Sequence, residues 1–454
     1  MSRFVDKTIV AVLLTAVAFT TLALGTVEAW SVALFELTVV VLILLWTAKA
    51  IFDKRLEIRL SPVALPVGAL VLVGIVQSIA FTGKTGQITS LSMDVEATRG
   101  ATAMVFFLFL ALLVASNFFD SPERLRTLST FLIIFGLGLA VFALIQHFTW
   151  EGKMYWMRPV ASAGAGTGGP FVNRNHFAGY MEMLIPIPLA SAFSRAARLE
   201  ERLFCAFCAA IMSVALVASL SRGGMVSLAA GLVFLVVMIG LFRRSASRRE
   251  AEASSKATAA VLILLMLAAI AIGIVWIGAD LDVVKRVAGE PLTTSLATDR
   301  RGIWRDSLTM FQANPILGIG LGAFETVYPI YGHGDGSFVI QFVHNDYLQV
   351  LCDAGAVGGA IALWFIVIIA RAITKVSSIN DPRLRALGVG SAAGIFALLV
   401  HSLFDFNLQI PSNALLFLVL AAVLSNVSGV LVRAGNERHG SRLPEPILAN
   451  ADLV

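Results

Sequence analysis

At 454 residues, 58% of them hydrophobic and only 14% charged, the chain is too apolar for a soluble fold, in which about half the residues are apolar and about a quarter charged. Its net charge of +5 is small, and the bias that membrane insertion imposes on loops accounts for it without a nucleic-acid partner.

A bilayer core of about 30 Å takes roughly 20 apolar residues per helix. The sequence supplies twelve such runs, predicted at 8–25, 30–52, 61–81, 98–118, 128–148, 176–194, 203–220, 225–242, 257–278, 355–371, 386–405 and 412–432. The first follows Met1-Ser-Arg-Phe-Val-Asp-Lys7 and has the basic start of a signal peptide, but eleven further spans point to a signal anchor. With the N-terminus inside, segments 1–7, 49–59, 119–127, 195–202, 243–256, 371–385 and 433–454 hold most of the 34 Lys and Arg residues. Positive loops stay cytoplasmic, so both termini are expected there. The fold class expected is an all-α integral membrane protein: one polytopic domain over 1–432, without internal repeats, and a cytoplasmic tail over 433–454. Two long loops, 149–175 and 279–354, fall on the outer side, and loops of that length usually carry function.

The first outer loop ends in Asn173-Arg-Asn-His-Phe-Ala-Gly179 after a glycine-rich stretch over 164–170. Arg174 and His176 there either bind substrate or serve the start of the next helix. Cys205 and Cys208 form a CxxC within an apolar run and, like Cys352, read as packing residues. Glu36, Glu182, His147 and His401 are ionisable groups in or near the bilayer. Such groups are costly there unless used or paired, and for Glu36 and Glu182 an interhelical hydrogen bond is an equal reading.

Ala218-Ser-Leu-Ser-Arg-Gly-Gly-Met225 is a tight turn between two spans, which holds Arg222 at the membrane edge. It is either a snorkelling arginine or an anion clamp, since guanidinium is permanently charged and grips phosphate oxygens bidentately. In the long outer loop, Thr298 or Asp299 can cap a helix that Asn314-Pro315 stops. Helical spacing predicts Arg300, Trp304, Leu308 and Phe311 on one face, with Arg301 and Arg305 alongside. Ile316-Leu-Gly-Ile-Gly-Leu-Gly-Ala-Phe324 alternates glycines for close packing or a tight turn, and lacks the strand and helix context of a nucleotide site. Val343-His-Asn-Asp-Tyr347 opens a predicted short helix near His344 or Asn345 that Gly355 ends. His344 is the candidate for proton transfer, a structural cap being the alternative, with Asn345 a candidate substrate contact. His401-Ser-Leu-Phe-Asp-Phe-Asn-Leu-Gln-Ile-Pro411 can bring Asp405 or Asn407 to the same cavity. No cluster has metal-ligand spacing, so neither a metal nor another cofactor is expected.

Ser221-Arg-Gly-Gly224, Arg300 four residues before Trp304, Asn314 to Phe324, and His344-Asn-Asp-Tyr-Leu-Gln349 followed by Gly355 together resemble the O-antigen ligase and O-antigen polymerase superfamily of bacterial glycan assembly. The resemblance implies a GT-C-like, metal-independent, inverting glycosyltransferase of the inner membrane, working at its periplasmic face on undecaprenyl-diphosphate-linked glycan. It implies Arg222 and Arg300 as diphosphate-binding residues and His344 as catalytic base; Arg301 and Arg305 join the arginines on charge and position alone. The acceptor it implies is another glycan or the lipid A core, in company with other polysaccharide-assembly proteins. The reading from a different class is a twelve-helix transporter or flippase of polysaccharide precursors.

Overall fold

The computed structural model describes residues 2–82, 88–160, 168–243, 300–333 and 339–440. The predicted span 257–278, the caps Thr298 and Asp299 and the end of the tail lie outside these residues. The chain opens with α1 (Ser2–Leu22), α2 (Ala29–Asp53), α3 (Ala64–Gln77), α4 (Val95–Phe118) and α5 (Pro122–Phe148). It continues through α6 (Arg174–Leu184), α7 (Pro186–Ala192), α8 (Leu199–Ala218) and α9 (Arg222–Arg243). Beyond residue 299 come α10 (Arg300–Ala313), α11 (Phe324–Tyr331), α12 (Asp346–Lys375), α13 (Pro382–His401) and α14 (Pro411–Gly440). Two small antiparallel hairpins, Ala80–Thr82 with Ile88–Ser90 and Lys153–Met154 with Arg158–Pro159, are the sheets among the described residues.

Helix starts follow local chemistry. Asp94 accepts from the Ala97 amide at 3.0 Å, Ser121 precedes Pro122 at the head of α5, and Asp381 accepts from Arg383 and Leu384 at 2.8 and 3.2 Å ahead of Pro382. Each satisfies amides that the first helical turn leaves unpaired.

Among the described residues eight helices, α1, α2, α4, α5, α8, α9, α12 and α13, are long and apolar enough to cross a membrane, and α3 and α14 carry shorter apolar stretches. The chain is therefore a multi-pass, all-α membrane protein. Span 61–81 is cut back to the 14 residues of α3 because the chain turns into the first hairpin at Ala80. The run predicted as one span over 176–194 is two short helices, since Pro186 supplies no amide to continue α6 and starts α7 afresh. α13 is the most enclosed, with 78% of its apolar window buried against 17% for α12. It packs on α6, α7, α9 and α14 and is the axis of the bundle.

The predicted short helix and the span predicted over 355–371 run as one element, α12, broken at Gly355 (φ 63°, ψ −156°) where the sequence predicts a helix end. The glycine-rich segment is docked into this break. The amides of Ile319 and Gly320 donate to the carbonyls of Cys352 and Asp353 at 2.9 and 3.1 Å, and those of Ala356 and Val357 donate to Pro315 and Ile316 at 2.8 and 3.2 Å. Gln77 of α3 completes the junction, donating to the carbonyls of Leu317 and Asp353 and accepting from the Leu321 amide. A helix can be interrupted in a low-dielectric surrounding only if the freed backbone groups find such partners. Gly318 has φ 70°, and a Cβ on it would lie 2.4 Å from the Cys352 carbonyl oxygen, so the contact requires glycine.

Above the bundle a smaller core joins Ile303, Met310, Phe324, Val327, Val343 and Cys352. The buried face of α10 is Ile303, Asp306, Ser307 and Met310, one step round from the predicted face; Leu308 is 47% exposed. The apolar partners, on α11 and the 343–352 segment, lie on that other side. Trp304 stands at the border and donates its Nε1 proton to the Val343 carbonyl at 3.1 Å.

Candidate active site

Four separate stretches of chain meet at the loop that follows α13. α13 ends at His401, whose carbonyl accepts from the Phe404 and Asp405 amides at 2.8 and 3.0 Å, and this tight turn projects Asp405 inward. Its carboxylate is 1% exposed. Oδ1 lies 3.2 Å from His344 Nδ1 and accepts the Phe406 amide at 2.9 Å. Oδ2 accepts from the side-chain amide of Asn175 at 2.5 Å and lies 3.5 Å from Arg300 Nη2. Arg300 also donates from Nη1 to the Phe404 carbonyl at 2.6 Å.

Burial works against ionising Asp405, but the His344 hydrogen bond, the neighbouring imidazoles and Arg300 outweigh it and hold the carboxyl well below the usual carboxylate range. An ionised Asp405 keeps the proton of a neutral His344 on Nδ1 and leaves Nε2 as the acceptor.

His344 occupies left-handed backbone space, φ 57°, because both neighbours are pinned. Val343 is held by Trp304 through its carbonyl and by Gln349 through its amide, at 3.1 and 2.9 Å. On the other side, Asn345 caps α12 by accepting from the Leu348 amide at 3.0 Å and donates to the Leu403 carbonyl at 3.2 Å. Asp346 closes the joint: its amide donates to the Ser402 carbonyl at 2.9 Å, and its Oδ2 accepts from the Ser402 hydroxyl at 2.8 Å. Asn345, a candidate substrate contact, is thus occupied in fixing the histidine. Strain at a non-glycine residue persists only where the surroundings dictate it.

Arg222 is the first residue of α9 and exposed. The next residue, Gly223, lies so close to α13 that a Cβ there would meet His401 Nε2 at 2.8 Å and Phe404 Cβ at 3.8 Å. That contact sets Arg222 beside the turn that carries Asp405. Arg174 opens α6, one residue before Asn175. His176 is buried and packs edge-on against Phe406 with ring centroids 4.8 Å apart, as His344 does. Arg301 is exposed next to Arg300. Arg305 is not among the partners of Asp405; its Nε lies 3.6 Å from Asp306.

Sequence reasoning missed Asn175 as a partner of Asp405, although it lies between the two candidates Arg174 and His176. It anticipated an interhelical bond for Glu182, which is found with His401 at 3.1 Å. Cys205 and Cys208 are buried packing residues. Among the described residues no group of three or more His, Cys, Asp or Glu side chains is arranged to hold a metal ion.

The assembly offers a permanently charged guanidinium, an imidazole with a fixed acceptor nitrogen, and a buried carboxylate joining them. A search of curated protein sequences finds no match to this chain. The O-antigen ligase family model matches residues 207–363, which contain Arg222, Arg300 and His344. That match falls in the superfamily the motifs resemble, and over the part of the chain it covers it supports a function of the general O-antigen ligase or polymerase type, that of a glycosyltransferase-like enzyme.

Proposed function

We propose that the protein is an inverting glycosyltransferase acting at the periplasmic face of the bacterial inner membrane, with both termini cytoplasmic. It moves a glycan from undecaprenyl diphosphate to a sugar hydroxyl of a second lipid-linked glycan or of the lipid A core. The observation that carries this reading is the Asp405 carboxylate, which contacts His344 Nδ1 and Arg300 at once. His344 Nε2 takes the proton of the acceptor hydroxyl, and the oxygen attacks the anomeric carbon from the face opposite the diphosphate. The anomeric C–O bond then breaks, and its electron pair leaves on the lipid diphosphate. Arg222, Arg300 and Arg301 stabilise the charge that develops there, and Arg174 lies at the same end of the bundle to meet the glycan, with His176 buried behind it against Phe406.

The test uses the full chain in lipid nanodiscs with lipid-linked glycan, without ATP or added metal. Transfer to a covalently extended product is expected, with His344→Ala abolishing it and Arg300→Ala reducing it about a hundredfold, the effect of losing about 3 kcal/mol of transition-state stabilisation. Full turnover by both variants refutes the assignment. The broken helix at Gly355 is a device that transporters also use. Movement of glycan across the bilayer with no covalent product favours that second reading.

A further inference from the structure

A further imidazole and carboxylate pair, exposed on its imidazole side, lies outside the site described. Asp306 is 2% exposed, on the buried face of α10, and both its oxygens bind His333. Oδ1 lies 2.8 Å from His333 Nδ1, and Oδ2 accepts the His333 amide and the Tyr328 hydroxyl, both at 3.2 Å. Burial and the adjacent Asp306 push the Tyr328 phenol up to about 12, so it remains a donor. The imidazole held in this way is itself 71% exposed. Tying α11 to α10 needs only the Tyr328 and backbone bonds, and an exposed ring adds little to the core. What the third bond does is present His333 Nε2 outward in a fixed direction. The same carboxylate draws in Arg305, 3.6 Å away and 70% exposed.

The geometry points to a glycan subsite here, in which His333 Nε2 accepts from one sugar hydroxyl and the Arg305 guanidinium donates to neighbouring oxygens. Arg305 follows Arg300 by five residues, about 7.5 Å along the helix, a distance that one or two sugar rings bridge. The arginine is thereby directed away from the diphosphate and toward the acceptor strand. The inference rests on the glycosyl-transfer reading and names the substrate part that this surface receives.

The experiment compares wild type with His333→Gln and Arg305→Ala in nanodiscs. Initial rates are measured against acceptor and donor separately. A second arm follows saturation-transfer NMR with the free oligosaccharide released by mild acid from lipid-linked glycan. Both variants should raise the acceptor KM about tenfold while kcat at saturating acceptor, donor KM and thermal midpoint stay unchanged, and both should lose saturation transfer to the free glycan. Unchanged acceptor KM, or a shift falling on donor KM, overturns the proposal. If wild type transfers no glycan at all, the NMR arm decides alone: a signal lost in both variants upholds the subsite even as the catalytic reading fails, and no signal with wild type overturns it.

Discussion

His401 Nδ1 lies 3.1 Å from both carboxylate oxygens of Glu182, and the two side chains are 1% and 0% exposed. α6 and α13 are thereby joined directly beneath the turn that carries Asp405, with His401 Nε2 lying against Gly223 on the other side. Removing one member of such a pair strands the other in a low-dielectric surrounding, at a cost of about 3–5 kcal/mol. Glu182→Ala should therefore lower the thermal midpoint sharply, whereas Glu182→Gln, which can still accept from the imidazole, should lose much less. Equal midpoints for the two variants would show that the contact bears no load.

Asp405→Asn tests the central carboxylate. The amide nearly preserves shape but no longer stabilises an imidazolium on His344, so kcat should fall about 10²-fold or more with donor KM little altered. The depressed ionisation of Asp405 also has a sign in stability. A carboxyl held below its unfolded value stabilises the fold fully above about pH 4 and loses that contribution as the pH falls toward the folded value. Thermal midpoints recorded from pH 6 down to pH 3 should decline more steeply for wild type than for Asp405→Asn.

Much of this was legible beforehand. Apolar runs locate the helices because the bilayer sets their length, and Asn345 and Asn314-Pro315 mark helix limits by chemistry that acts within one turn. Arg300, His344 and Asp405, which the fold brings together, were each singled out from the sequence as ionisable groups near a membrane boundary. Their pairing was not. Nothing local says that Asn175 meets Asp405, 230 residues away, or that Arg300 does. Those contacts depend on how α6, α10 and α13 pack. The misplaced face of α10 has the same origin: Trp304 and Leu308 are apolar, but the neighbours that bury a face lie elsewhere in the chain.

Gly355→Ala should be among the most damaging single changes outside the site. A Cβ there would lie 2.3 Å from the Ile316 carbonyl at a backbone angle of φ +63°, combining strain with a backbone clash, and a loss above about 3 kcal/mol is expected. Gly138→Ala is the control: it lies within α5 with nothing near its added methyl, where alanine favours helix by up to about 1 kcal/mol. Thermal unfolding in the same detergent compares them, and a Gly355→Ala midpoint equal to wild type contradicts the account.

Gln77→Leu removes the side chain that serves the Leu317 and Asp353 carbonyls and the Leu321 amide together. Each buried backbone group left without a partner costs about 1–3 kcal/mol. The variant should unfold earlier and show faster amide exchange at Leu321, measured by mass spectrometry, while Gln77→Glu keeps the acceptor and protects that amide.

Asn175, Arg300, His344 and Asp405 come together from stretches that leave the ribosome far apart in time, and the carboxylate they share is the last of the four to be made. The helices ahead of it are threaded into the bilayer before their reactive groups have anything to gather around. Synthesis of α13 and the turn after it is thus the step that brings in the shared carboxylate, and a chain cut short before residue 405 lacks the one group that contacts Asn175, Arg300 and His344 together.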